Sequence, residues 1–162
     1  MRALGGCRLE PLSDSRTVAS ARIDIDGRPV DVLATHLHHE AGGGAIRARQ
    51  LRDVLAHAAT MGGAPRVLLG DFNAGMDSAE LRPLLADYVD AYASRHDDPD
   101  VQPANTTLNP AFFDAGRRID HVLVERGRFE VADAAIVLDQ AGADGTWPSD
   151  HFGMHARLRL LP

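Results

Sequence analysis

The spacing of apolar and polar positions predicts two paired strands early in the chain. Residues Thr17–Ile25 place apolar side chains partly at every second position, which is typical of a strand with one buried face. Residues Pro29–Thr35 are rich in Val and Leu, and the intervening Asp26-Gly27 is a two-residue turn signal. The two stretches are therefore predicted to pair as a β-hairpin.

A helix is predicted over Ala45–Thr60, where apolar residues recur at helical spacing along one stripe. The stripe consists of Ile46, Leu51, Val54, Leu55 and Ala58. Pro65 and the glycine pair before it prevent continuation of the helix. Arg47, Arg49 and Arg52 lie off the stripe, which favours a solvent-exposed helix face over a contact with nucleic acid.

The rest of the chain alternates strands, a short helix and loops. Residues Arg66–Gly70 form a short apolar run, as expected of a central strand buried on both faces. Ser78 is a candidate N-cap for a helix through Ala86, and the acidic stretch Asp87–Asn105 is predicted to be a loop. The remaining elements are strands over Ile119–Glu125, Phe129–Leu138 and His155–Leu160, and a glycine-rich loop over Gln140–Ser149. This order predicts an α/β fold with a mixed sheet.

The composition excludes several chemistries. All 17 basic residues are Arg, and the absence of Lys excludes a Walker-A phosphate loop and a pyridoxal Schiff base. Cys7 is the only cysteine, which excludes an internal disulfide and a multi-cysteine metal site. The 23 acidic residues leave a net charge of −6, which disfavours a broad basic surface for nucleic acid but suits a site built from carboxylates.

The length of 162 residues fits a single domain over residues 1–162. No stretch approaches the roughly 18 apolar residues that cross a membrane. The N-terminus has no continuous apolar core of the kind found in secretory signals, so a cytoplasmic location is expected. No pattern indicates an oligomeric state.

Four short polar segments each follow an apolar run, at the predicted ends of strands. They are Thr35-His36-Leu37, Gly70-Asp71-Phe72-Asn73, Arg118-Ile119-Asp120-His121 and Ser149-Asp150-His151. An Asp at the end of a buried strand can act as a base for water, and an Asn two residues later can donate to a phosphoryl oxygen. An Asp–His pair orients the imidazole, and a further Asp can bind Mg²⁺. Together the segments predict a metal-assisted hydrolase.

Each segment alone has a structural alternative. Gly70-Asp71-Phe72-Asn73 consists largely of turn-forming residues, and Ser149-Asp150 can cap a helix or form a loop turn. His36 taken singly fits a structural polar role as well as a catalytic one. The specificity of the signal therefore comes from the four segments in order.

The histidine-rich stretch His36–Glu40 raises the alternative of a zinc site. His38 and His39 are adjacent and would face opposite sides of a strand, and no cysteine lies nearby, so exposed loop residues are the favoured interpretation. Ser149-Asp150-His151 does not form a serine-hydrolase triad, because adjacent residues of an extended segment cannot fold into one. Trp147 is predicted either to line the mouth of the site or to pack under its loop.

The ordered set of Thr-His-Leu, Gly-Asp-Phe-Asn, Ile-Asp-His and Ser-Asp-His resembles the endonuclease/exonuclease/phosphatase superfamily, from about Thr17 to Leu160. The resemblance implies a mixed-sheet layered α/β sandwich of the DNase I-like type. It also implies hydrolysis of a phosphodiester or phosphomonoester by activated water with Mg²⁺, or with Mn²⁺ in its place. The substrate would be a small molecule or a nucleic acid, and the charge balance favours a small phosphodiester over long DNA.

The resemblance also implies a role for each matching residue. Asp71 would be the base or orienter for the attacking water, and Asn73 would contact the phosphate and help to stabilise the transition state. His36 would be a second phosphate-facing histidine. His151 would bind or protonate near the scissile phosphate, and Asp120 would hydrogen-bond it.

Asp150 would be a ligand or a neighbour of the metal ion. The family domain has a further N-terminal segment that contributes an Asn and the chief metal-binding Glu. The residues before Thr17 show no strand pattern, and Glu10 does not follow an apolar strand, so Glu10 is not assigned that role. The chain is therefore expected to be an N-terminally truncated domain, either because it is a fragment, because its start is placed too late, or because a partner supplies the rest. The alternative function is an inactive fragment that serves as a binding module or is a gene fragment.

Overall fold

The structure is a computed structural model that describes residues 1–97 and 105–162. Within these ranges the strands are β1 (Arg2–Ala3), β2 (Arg8–Leu12), β3 (Arg16–Ile25), β4 (Arg28–His36), β5 (Arg66–Asp71), β6 (Tyr88–Asp90), β7 (Asp120–Glu125), β8 (Phe129–Val137) and β9 (Gly153–Leu160). The helices are α1 (Gly44–Thr60) and the 3-10 helices Ser13–Ser15 and Arg82–Ala86. No helix in the described ranges is long and apolar enough to cross a membrane.

Seven of the described strands form one mixed sheet. Its order is β1-β3-β4-β5-β7-β6, and β2 pairs with β3 as β1 does. Strands β4 and β5 are parallel, whereas the β3–β4, β5–β7 and β6–β7 pairs are antiparallel. Strands β8 and β9 form a separate antiparallel sheet. The predicted α/β fold with a mixed sheet is therefore confirmed.

The two faces of the mixed sheet pack against different layers. Leu33, Leu68 and Leu123 on one face pack with α1 in an almost fully buried core. Val67 and Val124 on the opposite face pack against β8 and β9. Full burial of one such side chain stabilises the fold by about 1.5–3 kcal/mol. This burial on both faces explains why β5 has a continuous rather than an alternating apolar pattern.

The predicted hairpin, helix and central strand are confirmed, with ends within one residue or so. Strands β3 and β4 pair around Asp26 and Gly27, which both have positive φ values of 53° and 81°. A two-residue turn of this kind matches the twist of the flanking strands. Strand β5 lies between β4 and β7, at the centre of the sheet.

The prediction of a helix from Ser78 to Ala86 is wrong, since only the 3-10 helix Arg82–Ala86 forms there. Glu80 is engaged in a largely buried ion pair with Arg47 of α1, with a distance of 2.7 Å between Oε1 and Nη2. The same contact corrects the prediction for Arg47, which is buried rather than part of a solvent-exposed face. A tertiary partner thus overrides local helix signals at this point.

Three strands are not predicted from the sequence. Strand β1 has only two residues, and both are exposed. Strand β2 lies in the stretch before Thr17 that shows no strand pattern, because nearly all of its residues are exposed and no alternation marks it. Strand β6 lies inside the predicted loop Asp87–Asn105 and has only three residues. Residues 98–104 of that loop lie outside the described residues.

Candidate active site

Three neighbouring strands place one polar residue each in a single row across the sheet. His36 ends β4 and is in register with Asp71 at the end of β5, and Asp71 is in register with Asp120 at the start of β7. Residues in one row of a sheet direct their side chains to the same face. Accordingly, His36 Nε2 lies 3.3 Å from Asp71 Oδ2.

The turn that supports Asp71 depends on Gly70. Its φ is 128°, and a Cβ at this position would lie 2.0 Å from the carbonyl oxygen of Thr35 on β4. Only glycine fits such a close approach of two backbones. Asn73 follows with a φ of 52°, the left-handed region that Asn tolerates. The segment is therefore both a tight turn and the support of a candidate catalytic residue.

Asn73 fastens this turn to the end of β4. Its backbone N–H donates to Asp71 Oδ1 at 2.8 Å. Its side-chain Nδ2 donates to the Leu37 carbonyl oxygen at 3.0 Å and to Asp71 Oδ2 at 3.3 Å. Because both amide hydrogens are used within the protein, a contact with phosphate would replace the longer bond, which is the one to Asp71.

His151 lies beside Asp120, with its Nδ1 2.9 Å from Asp120 Oδ2. The two side chains are 23% and 19% exposed, so solvent and substrate can reach them. An imidazole that donates from Nδ1 to a carboxylate keeps Nε2 available for a substrate. The Phe113 ring meets the imidazole edge-on, with 5.8 Å between the ring centroids.

Thr107, which no sequence pattern singles out, joins β7 to the His151 segment. The side chain is fully buried, and its Oγ1 accepts hydrogen bonds from the N–H groups of Ile119 and Asp120 at 3.0 and 3.2 Å. Its carbonyl oxygen accepts from the Phe152 N–H at 2.7 Å. One residue therefore contacts the segments that bear both members of the Asp120–His151 pair.

Asn109, two residues after Thr107, also contacts the segment that bears His151. It is fully buried, and its Nδ2 donates to the Ser149 carbonyl oxygen at 3.1 Å. Its backbone N–H donates to the Asp150 carbonyl oxygen at 3.0 Å. The only available signal for these two residues is the uncharged polar run Thr106–Asn109 beside an acidic, proline-containing stretch.

Burial raises the pKa of Asp71 above the ordinary value of an aspartate, and the nearby Asp120 carboxylate adds to the rise. The Asn73 N–H and the two histidines, His36 and His151, act in the opposite direction and limit it. A carboxylate whose pKa is raised is a stronger base toward water. The electrostatics of the site therefore suit proton transfer at Asp71.

Asp71, Asp120 and His151 each bring one ligand atom to within 4.8 Å of the others. Two carboxylates facing open space fit a divalent cation such as Mg²⁺, which proteins commonly hold through one or two carboxylates. Asp150 is exposed and lines the same cleft, outside this group of three. Across residues 1–97 and 105–162 no second group of this kind occurs, so the zinc alternative for His36–Glu40 gains no support.

The row opens into a cleft of about 660 Å³. Its lining includes His36, Asp71, Asn73, Phe113, Asp150 and His151. The structure thus brings five of the six predicted site residues to the cleft wall, and Asp120 contacts His151 from the sheet. Trp147 packs on Phe152, with 5.9 Å between ring centroids, which supports the alternative that it lies under its loop.

Three solved structures illustrate the similarity of this fold to known proteins. D. rerio TDP2 complexed with single strand DNA product is 16% identical with a TM-score of 0.78, and the match covers 98% of this chain and 68% of that one. The human Nocturnin catalytic domain with bound sulfate anion is 18% identical with a TM-score of 0.78, covering 97% and 59%. An endonuclease/exonuclease/phosphatase from Beutenbergia cavernae DSM 12333 is 25% identical with a TM-score of 0.73, covering 98% and 45%.

These similarities confirm the expected DNase I-like layered sandwich. No curated protein sequence matches the chain. A family model, however, matches residues 8–151, which extend from the start of β2 to the histidine of the last polar segment. On this match the chain belongs to the Endonuclease/Exonuclease/phosphatase family.

Proposed function

We propose that this chain hydrolyses a phosphodiester or phosphomonoester by attack of water in the cleft at the ends of β4, β5 and β7. The family to which it belongs comprises nucleases and phosphatases. The observation that carries the proposal is the grouping of Asp71, Asp120 and His151 in an open cleft. Acidic and imidazole groups that face an open cleft are suited to bind a cation and to move protons.

The attacking water is oriented and deprotonated by Asp71, whose pKa is raised by burial. Asn73 donates to a phosphoryl oxygen once it releases its longer bond to Asp71. His36 is 57% exposed beside Asp71 and faces the phosphate from the β4 side. These three residues form the half of the site that handles the nucleophile.

The leaving group is handled by His151. Its Nδ1–H donates to Asp120, which fixes the tautomer and stabilises the imidazolium form. From Nε2 it binds or protonates the oxygen that departs from phosphorus. Asp71 therefore acts on the attacking water, and His151, beside Asp120, acts on the leaving oxygen.

A divalent cation would be held by Asp120, with Asp150 as a further ligand or neighbour at the rim of the cleft, so that Asp71 keeps the oxygen that takes the proton. When bound, it neutralises charge on the phosphate and lowers the pKa of coordinated water. Mg²⁺ is proposed because the carboxylate donors match its preference for oxygen, and Mn²⁺ is the alternative because it accepts the same oxygen donors.

Hydrolysis of bis-p-nitrophenyl phosphate tests this proposal. We expect turnover that requires Mg²⁺ or Mn²⁺ and falls about 10²–10⁴-fold in Asp71→Asn, the range supplied by a general base. Since burial raises the pKa of Asp71, a neutral amide should not lower the melting temperature, and loss of chemistry is separable from loss of fold. Arg52→Gln, at an exposed position of α1, is the control. Turnover that survives both EDTA and Asp71→Asn would contradict the proposal.

Two observations bear on the substrate class, and they favour different substrates. D. rerio TDP2 is described in complex with single strand DNA product, which supports a nucleic-acid strand. The net charge of −6 and the absence of Lys support a small phosphodiester over long DNA. A panel that ranks kcat/KM for plasmid DNA, short single strands and small phosphodiesters decides between them.

The alternative of an inactive binding module predicts that the chain binds phosphate esters and releases no product. The same panel distinguishes the two functions, because binding without hydrolysis in Mg²⁺ and in Mn²⁺ would favour the module. The single-domain organisation and the cytoplasmic location also stay predictions, to be checked by limited proteolysis and by fractionation of cells that produce the protein.

A further inference from the structure

We propose that a shallow groove beside the cleft binds a second anionic group of the substrate, with Arg16 as its cationic contact. The groove lies over β3 and β4 and has a volume of about 410 Å³. Its lining includes Ser15, Arg16, Thr17, Thr35 and His36. This inference rests on the proposed function, since it concerns another part of the same substrate.

The groove and the cleft are continuous because His36 lines both of them. Arg16 is tied to the cleft a second time, since its Nη2 lies 3.3 Å from Nδ1 of His39, another residue of the cleft wall. A ligand that occupies the cleft and extends past His36 therefore comes to the groove that Arg16 lines.

Arg16 is charged and is not neutralised by a neighbouring carboxylate. Among the described residues, several arginines form ion pairs with aspartates or glutamates, and Arg16 is in none of these pairs. The paired arginines include Arg22, Arg47, Arg49 and Arg118. Asp14, two residues before it, is paired with Arg49 at 3.1 Å. An arginine left available for an anion presents a planar set of donors that matches a phosphate.

The chain is held in an unfavourable conformation immediately before Arg16. Asp14 and Ser15 are consecutive non-glycine residues with φ values of 57° and 60°, each of which is energetically unfavourable by about 1 kcal/mol or more. The turn is fastened from α1, where Asp53 accepts hydrogen bonds from both the N–H and the hydroxyl of Ser13 at 2.8 and 2.6 Å. Strained backbone of this kind persists where surrounding contacts hold it. Here the strained residues directly precede Arg16, the first residue of β3.

The distance to Asp71 separates this group from the phosphate that is hydrolysed. Strand β4 lies between β3 and β5, so two strand spacings, about 10 Å, separate the backbones that bear Arg16 and Asp71. The shared chemistry of the ligand is thus a second phosphate displaced from the scissile one. It is supplied either by the next phosphate of a nucleic-acid strand or by a second phosphate group of a small molecule.

Binding measurements test the groove without relying on turnover. In the Asp71→Asn background, the affinities of fluorescein-labelled pentathymidylate and of thymidine 3′,5′-bisphosphate are compared for Arg16, Arg16→Gln and Arg16→Lys. We expect Arg16→Gln to weaken binding about tenfold, as for loss of one charge-assisted contact, and Arg16→Lys to weaken it less, because lysine keeps the charge but not the planar donors. For pentathymidylate the slope of log affinity against log salt concentration should also fall by about 0.7, the value for one single-strand phosphate contact.

Arg52→Gln is the matched control, because it removes the same charge from an exposed position that lines neither the groove nor the cleft. Weakening for pentathymidylate alone assigns the second phosphate to a strand, and weakening for the bisphosphate alone assigns it to a small molecule. Equal effects of Arg16→Gln and Arg52→Gln, or an unchanged salt slope with both ligands, would overturn the inference. If unmutated protein binds through Arg16 and hydrolyses nothing, the groove stands and the proposed hydrolysis fails.

Discussion

Two clusters of Asp and His lie on opposite faces of the same strand, β7, and differ in almost every other respect. On one face, Asp120 contacts His151 at 2.9 Å in an open cleft. On the other face, His121 contacts Asp90 at 3.2 Å, and both side chains are at most 2% exposed. Because neighbouring residues of a strand point to opposite faces, adjacent residues Asp120 and His121 enter different environments.

The buried cluster is neutralised from within the protein. Arg118 Nη1 lies 2.7 Å from Asp90 Oδ2 and 2.8 Å from His121 Nδ1, and His121 Nε2 lies 2.9 Å from the Ala74 carbonyl oxygen. A carbonyl oxygen only accepts, so Nε2 carries a proton. Despite the opposing effect of burial, the contact with His121 and the charge of Arg118 lower the pKa of Asp90 to about 2.

In the exposed cluster the ion pairs of Asp71 and Asp120 within the described residues are with His36 and His151, and burial raises the pKa of Asp71. Residue type alone therefore does not distinguish an Asp–His pair with a structural role from one that can take part in a reaction. An Asp–His pair with an internal arginine and no access stabilises the fold, whereas one with access is available for a cation and a substrate.

Removal of one carboxylate from each cluster should separate these two roles most strongly. Asp90→Asn is expected to lower the free energy of unfolding by about 3–5 kcal/mol, because it removes the carboxylate that faces the buried Arg118. Asp120→Asn should change it by less than about 1 kcal/mol, because that pair is partly solvated, while hydrolysis falls at least about tenfold. Denaturant unfolding and the bis-p-nitrophenyl phosphate assay measure the two effects. Similar losses of stability in both variants would remove the distinction.

Acid should weaken the buried cluster in a defined pH window. The folded pKa of Asp90 is about 2 and its ordinary value is 3.8, so its contribution is complete above pH 4 or so and is lost as the pH falls toward 2. We expect the stability difference between unmutated protein and Asp90→Asn to shrink by about 2 kcal/mol across this window. Unfolding curves at pH 5 and at pH 2–3 test this, with Asp120→Asn as the comparison. A difference that stays constant with pH would show that Asp90 is not the titrating group.

The smallest expected effect concerns the residue that joins the two halves of the exposed cluster. Thr107→Val keeps the shape of the side chain but removes the acceptor of two N–H groups, which should lower stability by about 1 kcal/mol. Because Asp120 is one of those donors, the pH profile of kcat should also shift, and Thr107→Ser should restore it. Stability loss with an unchanged pH profile would limit Thr107 to a purely structural role.

Much of the fold follows from local patterns. The hairpin of β3 and β4, helix α1 and strand β5 each have a periodicity or an apolar run that determines their type. The position of the candidate site also follows, because His36 and Asp71 end strands, Asp120 begins one, and these strand ends meet at one edge of the sheet.

The remainder depends on partners that are distant in sequence. Arg47 is indistinguishable from its exposed neighbours until Glu80 is placed beside it, and Thr107 and Asn109 acquire their roles from backbone groups of later segments. Strand β2 is exposed on almost every residue, so burial leaves no trace in its sequence. The spacing of apolar residues in the sequence indicates which face of an element is buried. The roles of these residues depend instead on the atoms that they contact in the folded chain.

The close backbone approach at Gly70 has a consequence for how the candidate site forms. The turn after β5 packs closely on β4, and its bond from Asn73 to Leu37 and the bond from His151 to Asp120 span 36 and 31 residues of chain. Contacts of such separation form slowly, since loop closure precedes the stabilisation that they provide. A partly folded chain therefore contains the residues of the candidate site without their arrangement, and the site should form only late in folding.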